Sequence, residues 1–249
     1  MIVAEPSGIS KKDIGRLTYP KDKLEDMLNR NYTNEQHFLI YAHNGSYDYK
    51  VTSLGKTAHS SMPQLGVKAI DNLLLFCNKQ REYFNDTDLV DEVLGKIIPV
   101  NTLISGGEQI NSVPGEASLT ARIRTTPTHN GEKITEDMNN IITDLNNNYG
   151  TNLRMEVLNN KLSVKSDPKS DFIQLVKKLG NKHLEQPYPL LHVAGGTDAA
   201  TFIKSNSDLQ VAVIGPGNNT SHMINEYVDK DIYLKSIEFY KDIIIEFLK

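Results

Sequence analysis

Cysteine is nearly absent from this sequence, and several other features are missing with it. The only thiol, Cys77, excludes an internal disulfide and suits a reducing compartment, so a cytoplasmic protein is expected. Cys77 lies among Leu74, Leu75 and Phe76 in a helical pattern, where a buried structural thiol is expected rather than a nucleophile. No apolar run approaches the ~20 residues of a membrane-spanning helix, and Met1 to Pro6 lack the basic start and apolar core of a secretory leader. Basic excess is missing too: 27 Lys and Arg stand against 31 Asp and Glu, a net charge of −4. That balance argues against non-specific nucleic-acid binding, which needs a basic surface. The chain has no HExxH, no CxxC, no GxSxG and no GxGxxG. A self-contained zinc helix, a serine-nucleophile elbow and a dinucleotide fingerprint are thereby excluded. No internal repeat or low-complexity tract is visible.

What is present is enough to build a core. The 249 residues are 39% hydrophobic and 23% charged, which fits one large domain or two smaller ones. Met1 to Ala4 read as a short buried strand. Residues 10–37 are polar and charged and read as a surface excursion, with Leu24, Met27 and Leu28 marking one short helix. From Ser46 the pattern sharpens. Tyr47, Tyr49 and Val51 alternate with polar residues as in a half-buried strand, and Val67, Ile70, Leu74 and Cys77 follow at helical spacing. Ile97 to Ile104 is rich in β formers, and Ala117, Leu119, Ala121 and Ile123 alternate with a polar face. Ile134, Met138, Ile141, Ile142, Leu145 and Tyr149 mark a second amphipathic helix, and Leu153, Met155 and Val157 a further strand. The order β-α-β-β-α-β is that of a split ferredoxin-like unit.

After residue 162 the style changes. Asp167-Pro168 opens a helix carrying Phe172, Leu175, Val176 and Leu179. A Gly-rich turn at Ala194 to Asp198, a buried strand at Val211 to Ile214 and a final helix through Tyr233, Ile237, Tyr240, Ile244 and Phe247 complete an α/β layer. The architecture implied is α/β. Residues 1–45 and 161–249 form one domain, interrupted by an inserted ferredoxin-like α+β domain at 46–160.

Candidate chemistry is scattered along the chain. Glu5 ends the first strand before Pro6, and ligands in α/β folds gather at the carboxyl ends of strands. It reads either as a metal ligand or as an exposed loop residue. His222 follows Gly215-Pro216-Gly217-Asn218-Asn219, and is a candidate zinc ligand or a solvated loop histidine. His59 sits among small residues in Gly55-Lys56-Thr57-Ala58-His59-Ser60-Ser61, where Ser60 or Ser61 could instead cap the next helix. Asn111 follows Gly106-Gly107. Arg124, on the polar face of its strand, is either a carboxylate-binding fork or one side of a surface ion pair. The turn Gly195-Gly196-Thr197 offers backbone N–H groups to an anion.

Together these segments resemble the zinc-dependent family of succinyl-diaminopimelate desuccinylases, acetylornithine deacetylases, aminoacylases and related dipeptidases. The matching pieces are Glu5-Pro6-Ser7, Gly55 to Ile70, Gly106 to Ala117 followed by Arg124, Gly195 to Asp198, and Gly215 to Glu226. The resemblance implies an α/β catalytic domain with an inserted lid through which members form homodimers. It implies two zinc ions (or cobalt), with Glu5 on one metal and His222 on the other. His59 would stabilise the oxyanion in the partner's site. Asn111 and Arg124 would hold the substrate carboxylate, and Gly195, Gly196 and Thr197 would contact substrate oxygens. The implied reaction is attack of metal-bound water on the amide of a small N-acyl amino acid or dipeptide.

The family's H-x-D, its bridging Asp and its Glu-Glu pair all belong before the position of Glu5, where this chain has four residues. The expectation is an N-terminally truncated relative, inactive alone. The competing reading is a non-catalytic dimerisation or carboxylate-binding remnant. Residues 10–37 are a second departure. The missing Arg after Gly-Gly-Thr-Asp argues against succinyl-diaminopimelate as the particular substrate.

Overall fold

A computed structural model of the chain describes residues 1–17, 19–29 and 34–249. In chain order it begins with β1 (Ile2–Val3), β2 (Gly8–Ser10), α1 (Lys11–Ile14), α2 (Lys21–Asn29), β3 (Glu35–His37) and β4 (Leu39–His43). Next come β5 (Ser46–Leu54), β6 (Ala58–His59), α3 (Ala69–Asp86), β7 (Ile98–Gly106), β8 (Ser112–Val113), β9 (Glu116–Arg124), α4 (Gly131–Tyr149) and β10 (Leu153–Lys161). The last run is β11 (Val164–Lys165), α5 (Asp171–His183), β12 (Leu190–Val193), α6 (Ala199–Phe202), β13 (Ala212–Val213) and α7 (Lys230–Phe247). The chain divides into two units, Met1–His43 with Val164–Lys249, and Asn44–Ser163.

In the second unit four antiparallel strands are ordered β10-β5-β9-β7. The period-2 pattern sends Tyr47, Tyr49 and Val51 of β5, and Ala117, Leu119, Ala121 and Ile123 of β9, to one face. There they meet Leu73, Phe76 and Cys77 of α3 and Ile134, Met138, Ile142 and Leu145 of α4. Each fully buried side chain of this size contributes about 1.5–3 kcal/mol relative to exposure. α4 is bracketed locally: the Asn130 side chain accepts from Lys133 N–H, and Gly150, at φ 66°, ends the helix in the left-handed region. On the opposite sheet face Arg122 grips Asp48 bidentately, at 2.7 and 2.8 Å. β7 and β10 are the two edge strands, and every residue of β7 is exposed. The helical face expected for α3 is rotated, since Leu74 and Val67 are exposed while Leu73 and Phe76 are buried. An apolar run such as Leu73-Leu74-Leu75-Phe76 cannot by itself say which members turn inward.

The first unit is a mixed sheet, β1-β13-β4-β11, with β12 also paired to β4. Alternation splits its side chains between two cores. Leu39, Ala212 and Ile214 pack with Phe172, Ile173, Val176 and Leu179 of α5 and Phe239 and Ile243 of α7. Ile40, Val211, Val213 and Leu191 pack in a second core with Ile14, Leu24 and Met27. Residues 10–37 are therefore not merely a surface excursion. Their apolar residues join that second core, and the excursion ends in β3, whose three residues are all buried. The spacing of Ile14, Leu24 and Met27 is too sparse to announce this in sequence. The part of the excursion at Thr18 and residues 30–33 lies outside the described residues.

Three smaller differences have plain causes. The first strand spans only Ile2–Val3 and is half-buried. α5 is capped by Ser170, which accepts from Ile173 N–H, while Asp167 accepts from Lys169 N–H in a preceding turn. α7 buries Ile232, Ser236, Phe239 and Ile243, and leaves Tyr233, Ile237, Ile244 and Phe247 exposed. That helix carries two apolar stripes, and the sequence pattern selects the wrong one.

Candidate functional site

Glu5 is placed by a short strand and a stiff turn. Its N–H donates to the Val3 carbonyl at 3.1 Å, and Pro6 restricts the next step of the backbone. Ser7 then ties this turn to the loop after β13. Its hydroxyl donates to the Gly215 carbonyl at 2.9 Å and accepts from Gly215 N–H at 3.3 Å. The Ser7 and Gly8 N–H groups both donate to the Gly217 carbonyl, at 3.2 and 2.9 Å. Gly215 is required by contact, since a Cβ there would lie 2.4 Å from the Glu5 carbonyl oxygen. β1 and β13 are parallel neighbours, so the loops after them leave the sheet from one edge. Glu5 and His222 ride on those two loops. Both are exposed.

The turn Gly195-Gly196-Thr197 is held from below by His43. This histidine is fully buried at the end of β4, with Nε2 3.0 Å from Thr197 Oγ1 and accepting from Thr197 N–H at 3.4 Å. Sequence reasoning gave His43 no role. A histidine at the end of an apolar strand carries no local signal of the turn it will meet 154 residues later.

Glu5, His222 and the Gly195–Thr197 turn line one cleft of about 420 Å³. Ile40, Leu191 and Val213 supply apolar wall. The other polar lining residues include Asn218 and Asn219, from the His222 loop. Glu35 lies close behind that loop, 5% exposed. Burial pushes its carboxyl up, but the His37 ring, with Nε2 3.5 Å from Oε2, and the Tyr227 and Asn218 side chains outweigh burial and hold it below the usual range. The same contact with Glu35 raises the Tyr227 hydroxyl.

A carboxylate and an imidazole are donors that suit zinc, yet a zinc site takes at least three protein ligands. Among the described residues no group of three His, Cys, Asp or Glu side chains could hold a metal ion. Glu5 and His222 by themselves do not make a metal centre, and the described residues do not fit a complete one.

The remaining candidates belong to the second unit. β6 and β8 form a two-stranded ribbon that pairs His59 with Ser112, and Ser60 N–H donates to the Asn111 carbonyl at 2.9 Å. His59 and Asn111 are therefore close neighbours in the fold, and both are exposed. His59 Nδ1 accepts from Ser61 N–H at 3.2 Å and lies 2.7 Å from Ser61 Oγ. With Nδ1 an acceptor, the neutral ring carries its proton on Nε2, where it can donate outward. Ser61 serves this turn and caps no helix. Arg124 lies elsewhere. It ends β9, which begins at Glu116 just after the ribbon, and eight residue steps of strand span about 26 Å. One copy of the chain does not bring Arg124 and Asn111 together.

Comparison with known proteins gives a consistent result. Residues 41–150 match a family described as a peptidase dimerisation domain. A Staphylococcus aureus protein named probable succinyl-diaminopimelate desuccinylase is 35% identical over 238 residues, covering 85% of this chain and 58% of the relative. A Staphylococcus epidermidis protein of the same name is 29% identical, with 84% and 57% covered. The chain thus spans a little over half the length of these relatives. Among solved structures, the aminopeptidase PepT of Bacillus cereus superposes with a TM-score of 0.68 at 20% identity, covering 85% of this chain and 54% of that one. An M20 family metallo-carboxypeptidase of Sulfolobus solfataricus gives 0.64 at 15% identity, covering 83% and 59%. These structural likenesses carry the fold.

Proposed function

We propose that this chain belongs to the M20 family of peptidases and desuccinylases, supported by the match of residues 41–150 to a peptidase dimerisation domain and by the 35% identity to a probable succinyl-diaminopimelate desuccinylase, and that it serves the metal-dependent hydrolysis of an amide bond in small N-acyl amino acids or dipeptides. The observation that carries the reading is the convergence of Glu5, His222 and the Gly195–Thr197 turn on one cleft. In this reading Glu5 would hold one zinc ion and His222 the other, with cobalt an alternative ion. The turn binds substrate oxygens through its N–H groups, and His59 donates from Nε2 to the developing oxyanion. Arg124 and Asn111 grip the substrate carboxylate; since one chain holds them far apart, the grip needs two copies. Residues 46–160 act as the lid, and 1–45 with 161–249 as the catalytic part. No described helix is long and apolar enough to cross a membrane.

The incomplete donor set supports a second reading, in which the chain is a non-catalytic dimerisation or carboxylate-binding relative. Calorimetric titration with zinc chloride, together with hydrolysis assays on N-succinyl, N-acetyl and dipeptide substrates, separates the two. The expected result for the chain alone is no tight two-ion binding and no turnover. Adding the portion of the Staphylococcus aureus relative that this chain does not span should restore turnover. Two tightly bound zinc ions with turnover by the chain alone would overturn the partial-site reading. No turnover with the added portion leaves the non-catalytic reading standing.

A further inference from the structure

The loop that carries His222 adopts a backbone that is uncommon outside glycine. His222 and Asn225 sit at φ 64° and 65°, left-handed values at non-glycine positions. Such conformations persist only where the surroundings over-determine them. The surroundings here come from the excursion between β2 and β3. Asn218, 2% exposed, donates from Nδ2 to Glu35 Oε1 at 2.7 Å, and its Oδ1 accepts from Thr220 N–H at 2.9 Å. A carboxylate only accepts, so Glu35 fixes which end of the Asn218 amide faces it and which end faces the loop. Asn219 is committed in the same way: its Oδ1 accepts from Ser10 N–H at 3.0 Å, and its Nδ2 donates to Asp13 Oδ2 at 2.8 Å. The Thr220 hydroxyl passes the restraint on by accepting from Tyr227 N–H at 3.3 Å, which closes the loop around His222.

We propose that Ser10, Asp13 and Glu35 position the His222 loop, with Glu35 and Asp13 acting through the paired asparagines Asn218 and Asn219. The conformational claim stands on these contacts. Its importance for function rests on the reading of His222 as a metal ligand. Reversing the polarity of a bond tests it. Asn218→Asp removes the donor and sets two carboxyls against each other. Adding Glu35→Gln to that variant restores one donor and one acceptor with their places exchanged, and leaves an oxygen free to accept from Thr220.

The measurement is amide hydrogen exchange by NMR on the full metal-free chain. In Asn218→Asp the Thr220, Met223 and Tyr227 amides should exchange at least tenfold faster, while Leu119 in the other unit is unchanged. The double variant should recover most of that protection. Equal loop exchange in Asn218→Asp and the parent would overturn the proposal, as would a double variant no better than the single. If Asn218→Asp does not fold, the half-exposed pair Asp13→Asn with Asn219→Asp provides the same cycle, with the same two outcomes. Zinc chloride added to the parent chain together with the portion of the Staphylococcus aureus relative that it does not span separates the ligand reading from the positioning role. A His222 imidazole signal that ignores zinc in that mixture, for a chain whose exchange behaves as expected, sinks the ligand reading and leaves the positioning role intact.

Discussion

At the scale of single residues, His129 carries a pH-dependent consequence outside the cleft. It is fully buried in the second unit, its Nε2 is 2.6 Å from Tyr83 Oη, and that hydroxyl in turn donates to Asp137. Since Tyr83 gives its proton to Asp137, it accepts from His129, so the neutral ring carries its proton on Nε2. Nδ1 is buried with no hydrogen-bond partner among the described residues. Protonating Nδ1 would place a charge where nothing accepts it. Burial accordingly holds the His129 pKa below the ordinary value; Asp137 opposes that shift and Lys133 assists it. The sign follows directly. The unfolded chain binds the proton at higher pH than the folded one, so stability is full above the ordinary histidine range near 6.5 and falls as pH drops below it. The melting temperature of the second unit should therefore decline between pH 7 and 5, and His129→Gln should flatten that decline. An unchanged slope in the variant would rule out His129 as the titrating group.

At the scale of elements, β7 carries the clearest consequence. It pairs with β9 on one side only, and Leu103 and Ile104 are about two-thirds exposed, at 67% and 65%. Unpaired edges of this kind recruit another strand unless blocked by charge, proline or a cover. Pro99 near its start and the bulge between Asn101 and Leu103 protect part of it, and Leu103 to Gly106 remain open. In a chain whose residues 41–150 match a peptidase dimerisation domain, this edge is the surface expected to meet a second copy. Leu103→Lys should raise the dimer dissociation constant at least tenfold, equal to about 1.4 kcal/mol, as read by sedimentation. A parent chain that is monomeric at micromolar concentration would count against the homodimer, and an unaffected dimer in the variant would move the interface off β7.

At the scale of the whole molecule, the chain builds separate cores in its two units. The core of the second unit draws every buried member from residues 47–153, and α4 is capped by Asn130 and closed by Gly150 within the same span. Residues 44–163 produced alone should therefore unfold cooperatively and retain a dispersed NMR spectrum. A molten or aggregated product would show that the unit depends on the rest of the chain. The first unit has no such independence in sequence, because its strands come from both ends of the chain.

The amino-acid sequence alone determined what depends on period and neighbour. Alternation in Ala117 to Arg124 marked β9, and the amphipathic spacing from Ile134 to Leu145 marked α4. The ordered motifs around Glu5, His59, Gly195 and His222 carried the family resemblance, because motifs depend on local residue order. Only the tertiary structure decided what depends on distant partners. It turned Leu73 and Phe76 inward instead of Leu74, chose between the two stripes of α7, and used an apparently superficial excursion to fill one side of a sheet. It also brought His43 beneath Thr197 and Glu35 against Asn218, pairs 154 and 183 residues apart. No local pattern encodes such contacts, since each half is an ordinary polar residue until the fold supplies the other.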